Sequence, residues 1–410
     1  MFHCGIIVFT AVNKNTFVSA LLNGNAHPPF DFFNGKSGVL FSDMAIQKFI
    51  KEEDKHQALT ITRKKGRPLR TFSSGERKKA LLEYYLKQKV QFLVLDNPFD
   101  HLDQKSRIEL GQDLEEMARK IHLIFLVNRA GDIPDFISKI YQLEQNNKIT
   151  PYIPSVNRNS QGLVQIPGHL LAQQPYRETQ LVHFENVNVS YKGESVIANI
   201  SFTVNQGQTW QLVGPNGSGK STILSLITGD NPKAYGQNIT LFGKPKGSGE
   251  SVWELKQKIG YYHTTLTELF ERNHTVEQMV LSGFFDAVGL YRIPAKYQRE
   301  KVKAWLKIVN LYNSKDAYFN RLPPGQQRVA LIVRALVKQP PLLILDEPTE
   351  GLDDANAATV INILNSISHN GNISMIFVSH RIEKNLQADF ILELIPHKNG
   401  SSGKVYKSKN

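Results

Sequence analysis

The chain has 410 residues, of which 41% are apolar and 21% are charged, and this composition is that of a globular protein large enough for two domains. Its 49 basic and 37 acidic residues give a net charge of +12, which favours anionic partners such as a nucleotide, a nucleic acid or an anionic lipid. The single cysteine, Cys4, excludes an intramolecular disulfide and any multi-cysteine metal site, and it fits a reducing, cytosolic setting.

The chain begins with MFHCGIIVFTAV, which lacks the basic leader and the small-residue cleavage site of a signal peptide, so we expect a buried strand there. No apolar run approaches the roughly 20 residues that a membrane-spanning helix needs, and service to a membrane would therefore require a partner. The densest basic segment, RKKGRPLR at 63–70, has no aromatic stacking platform beside it. We expect a solvated loop near a phosphate, with nucleic-acid binding as the less favoured alternative.

An internal repeat relates residues 71–103 to residues 321–353 without gaps, and it brings Asp96 into register with Asp346. Each copy predicts a turn, then a helix of about four turns, then an apolar strand that ends in the aspartate. A Pro-containing loop follows each aspartate. The sequence therefore predicts two halves built on one plan.

A further apolar strand follows each copy, at 121–129 and at 373–381. Strands that alternate with helices predict a mainly parallel sheet covered by helices. We therefore expect an α/β fold with two related domains, at 1–144 and 180–410, joined by an Asn-, Gln- and Pro-rich linker over 145–179. Only the second half has the short alternating strands of VHFENVNVSYKGESVIANISFTV. Either the sequence begins late or the first half has lost part of its pocket.

The segment GPNGSGKS at 214–221 fits the Gly-x4-Gly-Lys-Ser pattern of a phosphate-binding loop and follows the apolar strand WQLV. Glycines permit a tight loop whose N–H groups point at phosphate oxygens, and the helix that begins near Lys220 directs its positive dipole end to the same place. Lys220 supplies a charge to the β- and γ-phosphates, and the Ser221 hydroxyl can reach Mg²⁺. We therefore predict ATP and Mg²⁺ as ligands. The candidate nucleotide-binding residues of this loop are Gly214, Pro215, Asn216, Gly217, Ser218, Gly219, Lys220, Ser221 and Thr222.

This loop, the GQ-type segment LPPGQ, the strand LILDEP and the later IFVSH resemble ATP-binding cassette (ABC) ATPases, and the resemblance covers both halves. It implies two tandem P-loop NTPase domains with helical subdomains, an antiparallel β subdomain in the second, and an incomplete first domain. By the same resemblance Asp346 holds Mg²⁺ and Glu347 polarises the attacking water. His380 touches the γ-phosphate and Tyr191 stacks on adenine. The predicted catalytic residues are thus Lys220, Glu347 and His380, which suit a phosphoryl transfer that depends on positioning and charge neutralisation.

Two further segments, 225–261 and 280–291, resemble the tandem-cassette family called ModF or photorepair protein, whose members are linked by name to molybdate transport. The resemblance implies a membrane subunit as partner. Thr264 weakens that implication, because transporter cassettes have at this position a glutamine that couples to the membrane subunit. ATP turnover is therefore better supported than transport. The alternatives are an ABC ATPase that acts on the ribosome or RNA, and a nucleotide-gated switch that seldom hydrolyses ATP.

The first half departs from the family pattern at its own phosphate loop. Aligned without gaps, HCGIIVFTAVNKNTFVSALLNG places Phe9 and Val12 at two of the loop glycines and Asn15 at the catalytic lysine. Asn97 stands at the position of the water-polarising glutamate, where an amide cannot act as a base. Asn128 stands at the position of the histidine. We expect no phosphate cradle in the first half.

The signature segments, which follow the opposite pattern, are FSSGE in the first half and LPPGQ in the second. Prolines at 323 and 324 have no N–H to offer a phosphate, whereas FSSGE keeps a hydroxyl and a glycine that permits close backbone approach. Because ABC cassettes pair head to tail, the resemblance implies a composite site between the loop of the second half and the signature of the first. We expect one competent Mg-ATP site, formed by intramolecular pairing of the cassettes. The predicted signature contacts are Ser73, Ser74, Gly75 and Glu76.

Overall fold

The computed structural model describes most of the chain, and the ranges that it describes are 1–9, 12–56, 61, 66–144, 147–153, 164–171, 176–269, 274–370, 373–380, 382–383 and 385–408. Three predicted features reach outside these ranges. They are the first-half loop at residues 10–11, the basic segment at 63–65, and the linker at 145–146, 154–163 and 172–175. Within the described residues, none of the helices has the length and apolar character needed to cross a bilayer.

The chain divides into two compact units, each formed from two stretches of sequence. The first unit comprises Met1–Asn157 and Glu350–Asp354, and the second comprises Arg158–Thr349 and Ala355–Asn410. The described residues of the range predicted as a linker include a short strand and a short helix. That strand pairs antiparallel with a strand of the first unit.

The first unit is a six-stranded sheet with helices. Its strands are β1 (His3–Val8), β2 (Gly38–Phe41), β3 (Phe92–Asp96), β4 (His122–Val127), β5 (Ile140–Leu143) and β6 (Ile149–Pro151). Its helices are α1 (Lys14–Leu22), α2 (Asp43–His56), α3 (Ser74–Lys87) and α4 (Gln104–Ala118). The strand order is β2-β3-β4-β1-β5-β6, and only the last pair is antiparallel. The central strands are buried almost throughout, because a parallel sheet is covered on both faces.

The second unit contains two sheets. Its strands are β7 (Gln180–Tyr191), β8 (Glu194–Asn205), β9 (Thr209–Val213), β10 (Ile239–Leu241), β11 (Lys244–Pro245), β12 (Ile259–His263), β13 (Leu342–Asp346), β14 (Ser374–Ser379), β15 (Phe390–Ile395) and β16 (Ser402–Lys407). Its helices are α5 (Gly168–Leu171), α6 (Lys220–Thr228), α7 (Val252–Lys258), α8 (Leu266–Leu269), α9 (Val276–Leu281), α10 (Lys296–Ile308), α11 (Pro324–Leu336) and α12 (Asp354–His369). One sheet has the order β12-β13-β14-β9-β15-β16, and the other is the antiparallel sheet β11-β10-β7-β8.

The two six-stranded sheets share one topology, since β2, β3, β4, β1, β5 and β6 take the places of β12, β13, β14, β9, β15 and β16. In both, the strand that precedes the nucleotide loop is central, and the strand that ends in the repeated aspartate lies two places away. The prediction of an α/β fold with two related, mainly parallel sheets is confirmed. The antiparallel sheet belongs to the second unit, as expected, and its apolar face joins the main sheet and α6 in one core.

Candidate nucleotide site

The phosphate loop of the second unit follows β9, in which every residue is buried. Residues 214–219 then turn the chain into α6, which begins at Lys220. Gly217 and Gly219 have φ angles of 78° and 94°, in the left-handed region that favours glycine. A Cβ on Gly219 would also lie 2.4 Å from the side chain of Ile197. Both glycines are therefore required by the backbone conformation, and the second also by close packing.

Two buried side chains of this loop are suited to a phosphate group. The Lys220 ammonium donates to the carbonyl oxygens of Gly214 and Pro215, at 2.7 and 3.0 Å. The Ser218 hydroxyl is buried, and it has no hydrogen-bond partner among the described residues. A buried hydroxyl without a partner costs about 1–3 kcal/mol. Phosphate oxygens would supply that partner and would replace the carbonyls as acceptors for the lysine.

The acidic part of the site lies at the carboxyl end of β13, where Asp346 is the last strand residue. Glu347 follows with a φ of 52°, and its N–H donates to the carbonyl oxygen of Val378 at 3.0 Å. Its carboxylate oxygen lies 3.1 Å from Nδ1 of His380, and both side chains are 18% exposed. In the tautomer whose Nδ1 carries the hydrogen, the imidazole donates to this carboxylate. The structure thus brings the predicted catalytic carboxylate and histidine into direct contact.

The donor set fits Mg²⁺, which takes carboxylate and hydroxyl oxygens and usually keeps several waters. Asp346 offers a carboxylate at the end of β13, and Ser221 offers a hydroxyl in the first turn of α6. Strands β9, β14 and β13 are parallel neighbours, so their carboxyl ends share one edge of the sheet. Thr264 follows β12 at the same edge, where the preceding residue, His263, pairs with Asp346.

The predicted adenine platform, Tyr191, ends β7 at a two-residue hairpin turn. Lys192 and Gly193 form that turn with φ angles of 49° and 85°, as a type I′ hairpin requires. Tyr191 is 42% exposed, whereas its hydroxyl oxygen accepts a 2.7 Å hydrogen bond from Nδ2 of Asn231. Asn231 itself is only 6% exposed.

The strand register of the first unit corrects the alignment of its nucleotide loop. Asp96, at the end of β3, pairs with Leu126 of β4. The next residue of β4, Val127, pairs with Ile7 of β1. Helix α1 then begins at Lys14, seven positions after Ile7.

The same path through the second unit gives the matching residues. Asp346 pairs with Val378, and the next residue, Ser379, pairs with Val213. Helix α6 begins at Lys220, again seven positions later. The lysine that begins α1 therefore takes the place of the lysine that begins α6.

The expectation that Asn15 stands at the lysine position is thus wrong by one residue, and so are the positions given to Phe9 and Val12. By the corrected register Val8 and Asn13 replace two of the glycines, while the third equivalent, residue 11, lies outside the described part of the chain. Asn13 caps α1 with a φ of −79° instead of the left-handed conformation of its glycine counterpart. The loss of glycines stands, whereas the loss of the lysine does not.

The retained lysine of the first unit is engaged by the acidic strand end. The Lys14 ammonium lies 2.5 Å from the carboxylate of Asp96, and these side chains are 29% and 15% exposed. Asn97 Nδ2 donates to the same carboxylate at 3.2 Å, and Asn97 Oδ1 accepts from the N–H of Asn128 at 3.0 Å. Asn97 keeps the backbone geometry of its glutamate counterpart, with a φ of 43° and a 2.8 Å bond from its N–H to the carbonyl oxygen of Leu126. In the first unit, Lys14 is therefore the cation beside the Asp96 carboxylate.

The signature of the first unit forms the start of α3. Ser73 caps the helix, with its hydroxyl accepting from the N–H of Glu76 at 3.3 Å and the Glu76 carboxylate accepting from the N–H of Ser73 at 2.9 Å. The Arg67 guanidinium donates to that carboxylate at 2.6 Å and lies over the ring of Phe72. Hydrogen bonds from Ser73 lower the pKa of Glu76, so the group stays ionised at neutral pH. Its negative charge is matched by an arginine.

The second signature forms the start of α11 without a side-chain cap. Pro323 is the N-cap residue and Pro324 the first helical residue, which are positions that tolerate proline because no intrahelical N–H bond is lost there. A Cβ on the following Gly325 would lie 2.4 Å from the side chain of Asn356. The helix is therefore well formed, but its start has no serine hydroxyl and lacks the N–H groups of residues 323 and 324.

Comparisons with known proteins identify the family. The ABC transporter family model matches residues 197–350. The ABC transporter ATP-binding protein ModF of Escherichia coli is 38% identical over 347 residues, which are 80% of this chain and 70% of ModF. The chain belongs to the family of ABC transporter ATP-binding proteins. An uncharacterized ABC transporter ATP-binding protein of Schizosaccharomyces pombe is 31% identical over 319 residues, or 75% of this chain and 64% of that protein.

Two solved structures show the fold of this ABC protein over both of its halves. RNase-L Inhibitor aligns with a TM-score of 0.63 at 15% identity, covering 98% of this chain and 85% of that one. A model of ribosome-bound archaeal Pelota and ABCE1 aligns with a TM-score of 0.67 at 15% identity, covering 99% and 75%. At this identity the similarity concerns the fold. The family assignment makes this chain an ATP-binding protein and an ATPase.

Three residues of this ABC ATPase enter the site or its counterpart without having been predicted. They are Asn231, bonded to the predicted adenine platform, Lys14, on the first-unit aspartate, and Arg67, on the signature glutamate. Each acts over a long sequence separation or outside a motif, so no local pattern identifies it. For Arg67 a weak signal existed, because it lies in the basic segment next to the signature.

Proposed function

We propose that this chain hydrolyses one Mg-ATP at a single composite site, which combines the phosphate loop of the second unit with the signature of the first. The observation that carries this proposal is the distribution of losses. The unit with the intact glycine loop has the proline signature, and the unit with the serine signature lacks the glycines. Independent decay would scatter such losses. Head-to-tail pairing instead places all of them in a second composite site, which joins the loop of the first unit to the signature of the second.

The residues of the second unit suit hydrolysis of the γ-phosphate. Glu347 would orient a water for in-line attack and accept its proton, and its contact with His380 holds the carboxylate in one direction. Lys220 would stabilise negative charge on the β- and γ-phosphates. Mg²⁺, held by Ser221 and Asp346, would neutralise charge on the phosphate oxygens. In the first unit an amide replaces the base, so attack there would have no proton acceptor.

We further propose that ATP turnover serves a transport system in which this chain is the ATP-binding component, as the printed name of ModF suggests. The alternative is a role apart from transport, on the ribosome or RNA or as a nucleotide-gated switch. Thr264, in place of the coupling glutamine, favours the alternative. Affinity purification of Glu347→Gln protein in the presence of ATP separates the two. Recovery of a membrane subunit supports transport, and recovery of ribosomes or RNA supports the alternative.

The composite site is tested through the signature of the first unit. Gly75→Asp would bring a carboxylate against the γ-phosphate in a water-poor pocket, and we expect a severe loss of phosphate release. A Cβ at this position would lie 3.0 Å from the Ser106 hydroxyl, so Gly75→Ala is the matched control for steric effects alone. We expect Gly75→Ala to retain more activity than Gly75→Asp.

The complementary variant restores the second signature by Pro323→Ser together with Pro324→Gly. We expect little change in phosphate release, because the loop that would face it has no phosphate cradle. Steady-state phosphate release from these variants and the unmodified chain decides between the models. Full activity in Gly75→Asp would show that the site forms another way, for example between two copies of the second unit.

A further inference from the structure

The hydroxyl of Tyr191 is held by a hydrogen-bond chain that leads back to the phosphate-loop helix. Asn231 Nδ2 donates to the Tyr191 hydroxyl oxygen at 2.7 Å and to Ser225 Oγ at 3.0 Å. Ser225 in turn donates to the carbonyl oxygen of Thr222 at 2.8 Å. Thr222 and Ser225 both belong to α6, the helix that begins at the catalytic lysine. Hydrogen bonds thus connect Tyr191 to α6, the helix that follows the phosphate loop.

The direction of each hydrogen bond in this chain is set by its neighbours. Asn231 Oδ1 accepts from the N–H of Lys233 at 3.0 Å, and a backbone N–H can only donate. The other end of the amide, Nδ2, therefore faces Tyr191 and Ser225. Ser225 uses its own hydrogen for the Thr222 carbonyl, so it must accept from Nδ2. The two constraints agree on one orientation of the amide.

The burial pattern separates the anchor from the platform. Asn231 is 6% exposed, whereas Tyr191, at the end of a hairpin strand, is 42% exposed. An exposed aromatic side chain at a hairpin end would otherwise sample several rotamers, and immobilising it on ligand binding would weaken affinity. A bond to its far end removes that freedom before the ligand arrives. The hydrogen bond engages the hydroxyl and not the faces of the ring, so it does not occupy a surface that stacking would use.

We propose that Asn231 is a positioning residue for the adenine of ATP, acting through the Tyr191 hydroxyl to hold the ring as a preformed stacking platform. The inference rests on the proposed role of Tyr191 in the composite site. It predicts that a hydroxyl which does not touch the phosphates nevertheless contributes to nucleotide affinity. The contribution should appear in KM for ATP and not in kcat, because the ring is remote from the transferred phosphate.

The test uses the full-length chain and steady-state ATP hydrolysis. Tyr191→Phe removes only the hydroxyl, and we expect KM to rise about 3- to 10-fold, the effect of one newly mobile side chain, with little change in kcat. Asn231→Ala should raise KM by a similar factor. The double variant should resemble Asn231→Ala alone, since both changes remove the same bond. Tyr235→Phe, on the turn that Asn231 caps, is the matched control and should leave KM unchanged.

Inhibition by inorganic tripolyphosphate, which has no base, distinguishes positioning of adenine from general damage. We expect its inhibition constant to stay constant in Tyr191→Phe and Asn231→Ala. An inhibition constant that rises in step with KM would overturn the proposal, because the phosphate loop would then be disturbed. An unchanged KM in Tyr191→Phe would also overturn it.

Tyr191→Ala separates this inference from the proposed function. A large rise in KM in Tyr191→Ala with no change in Tyr191→Phe would leave the adenine platform intact and reject the role of Asn231. No change in Tyr191→Ala would reject the platform itself, and with it the proposed nucleotide site as drawn.

Discussion

The nucleotide loops of the two units differ less than their sequences suggest. Both follow the central strand of an equivalent sheet. Helices α1 and α6 each begin with a lysine, seven positions after the equivalent strand residues Ile7 and Val213. Only the second loop has the left-handed glycines. In the second unit the lysine turns to the carbonyls of its own loop, and in the first it turns to Asp96.

If only the second loop binds ATP, as proposed, the glycines and not the lysine distinguish a phosphate-binding loop from a structural one. Glycines permit the left-handed conformations that direct successive N–H groups at one phosphate, and the first loop contains no glycine. The lysine then serves as an internal cation for the strand-end carboxylate. A search for the lysine alone would not distinguish the two loops.

The largest effect on ATP hydrolysis should distinguish Glu347 from Asn97, which are the residues that follow the aspartates at the ends of β13 and β3. Glu347→Gln removes the proposed water-polarising base and should reduce ATP hydrolysis about 10²- to 10⁴-fold. Lys220→Ala should likewise abolish turnover, because the phosphate charge would lose its main counter-ion. The matched change in the first unit, Asn97→Ala, should leave activity within about twofold, since an amide supplies no base there.

Asn97 has a φ of 43°, and alanine is strained at such a conformation by about 1–2 kcal/mol. Hydrolysis should therefore be measured well below the melting temperature of each variant. If Asn97→Ala lost activity as completely as Glu347→Gln, the asymmetric account would be wrong.

We expect an intermediate effect on kcat/KM at the first-unit signature, FSSGE, which the proposed site uses. Arg67→Ala leaves the charge of Glu76 unmatched beside the predicted γ-phosphate position, and we expect kcat/KM to fall roughly 3- to 10-fold. Higher salt should partly reverse the loss, because salt screens like-charge repulsion at exposed sites. The effect of Arg67→Ala should disappear in the Glu76→Gln background.

The control is Arg70→Ala, which removes a second exposed arginine of the same segment, one that pairs with Asp54 at 3.2 Å. It should not change kcat/KM. An equal loss in Arg67→Ala whether or not Glu76 is present would show that the arginine acts on the fold and not on the charge.

The smallest effect, on the rate of Cys4 labelling, concerns the ion pair of Lys14 with Asp96 in the first unit. Cys4 is the one cysteine of the chain and is fully buried in β1, where burial raises the pKa of its thiol. Its labelling by a thiol reagent therefore reports opening of this unit. Lys14→Met should accelerate labelling about two- to fivefold, a modest factor because the pair is partly exposed.

The matched control for that experiment is Lys79→Met, which removes another ion pair of the first unit, 2.5 Å long and more exposed. It should accelerate labelling of Cys4 less than Lys14→Met does. Equal rates in the two variants would mean that the Lys14 pair has no special role beside β1.

The fold was predictable because its main signal is repeated. The copies that end in Asp96 and Asp346 give the same pattern of helix and strand twice, so the pattern in one half supports the other. The second-unit loop was equally clear, since glycine, lysine and serine at fixed spacing have few other uses. These features are local in sequence, and local features are what periodicity and motifs report.

The position of Lys14 in the first-unit loop and the bond from Asn231 to Tyr191 were not predictable, for a physical reason. Where the glycines are absent, no motif fixes the alignment, and only the pairing of β1 with β4, more than a hundred residues away, places Lys14. Asn231 reaches Tyr191 across 40 residues through a turn that no pattern marks as functional. Both depend on tertiary register, which a linear pattern does not contain.

The central claim, that one loop binds nucleotide and the other does not, is tested most directly by counting bound Mg-ATP in equilibrium dialysis with hydrolysis blocked by Glu347→Gln. We expect one tight site per chain, abolished by adding Lys220→Ala and retained after adding Lys14→Ala. Two tight sites of equal affinity, or a loss of binding in the Lys14→Ala protein equal to that in the Lys220→Ala protein, would contradict it.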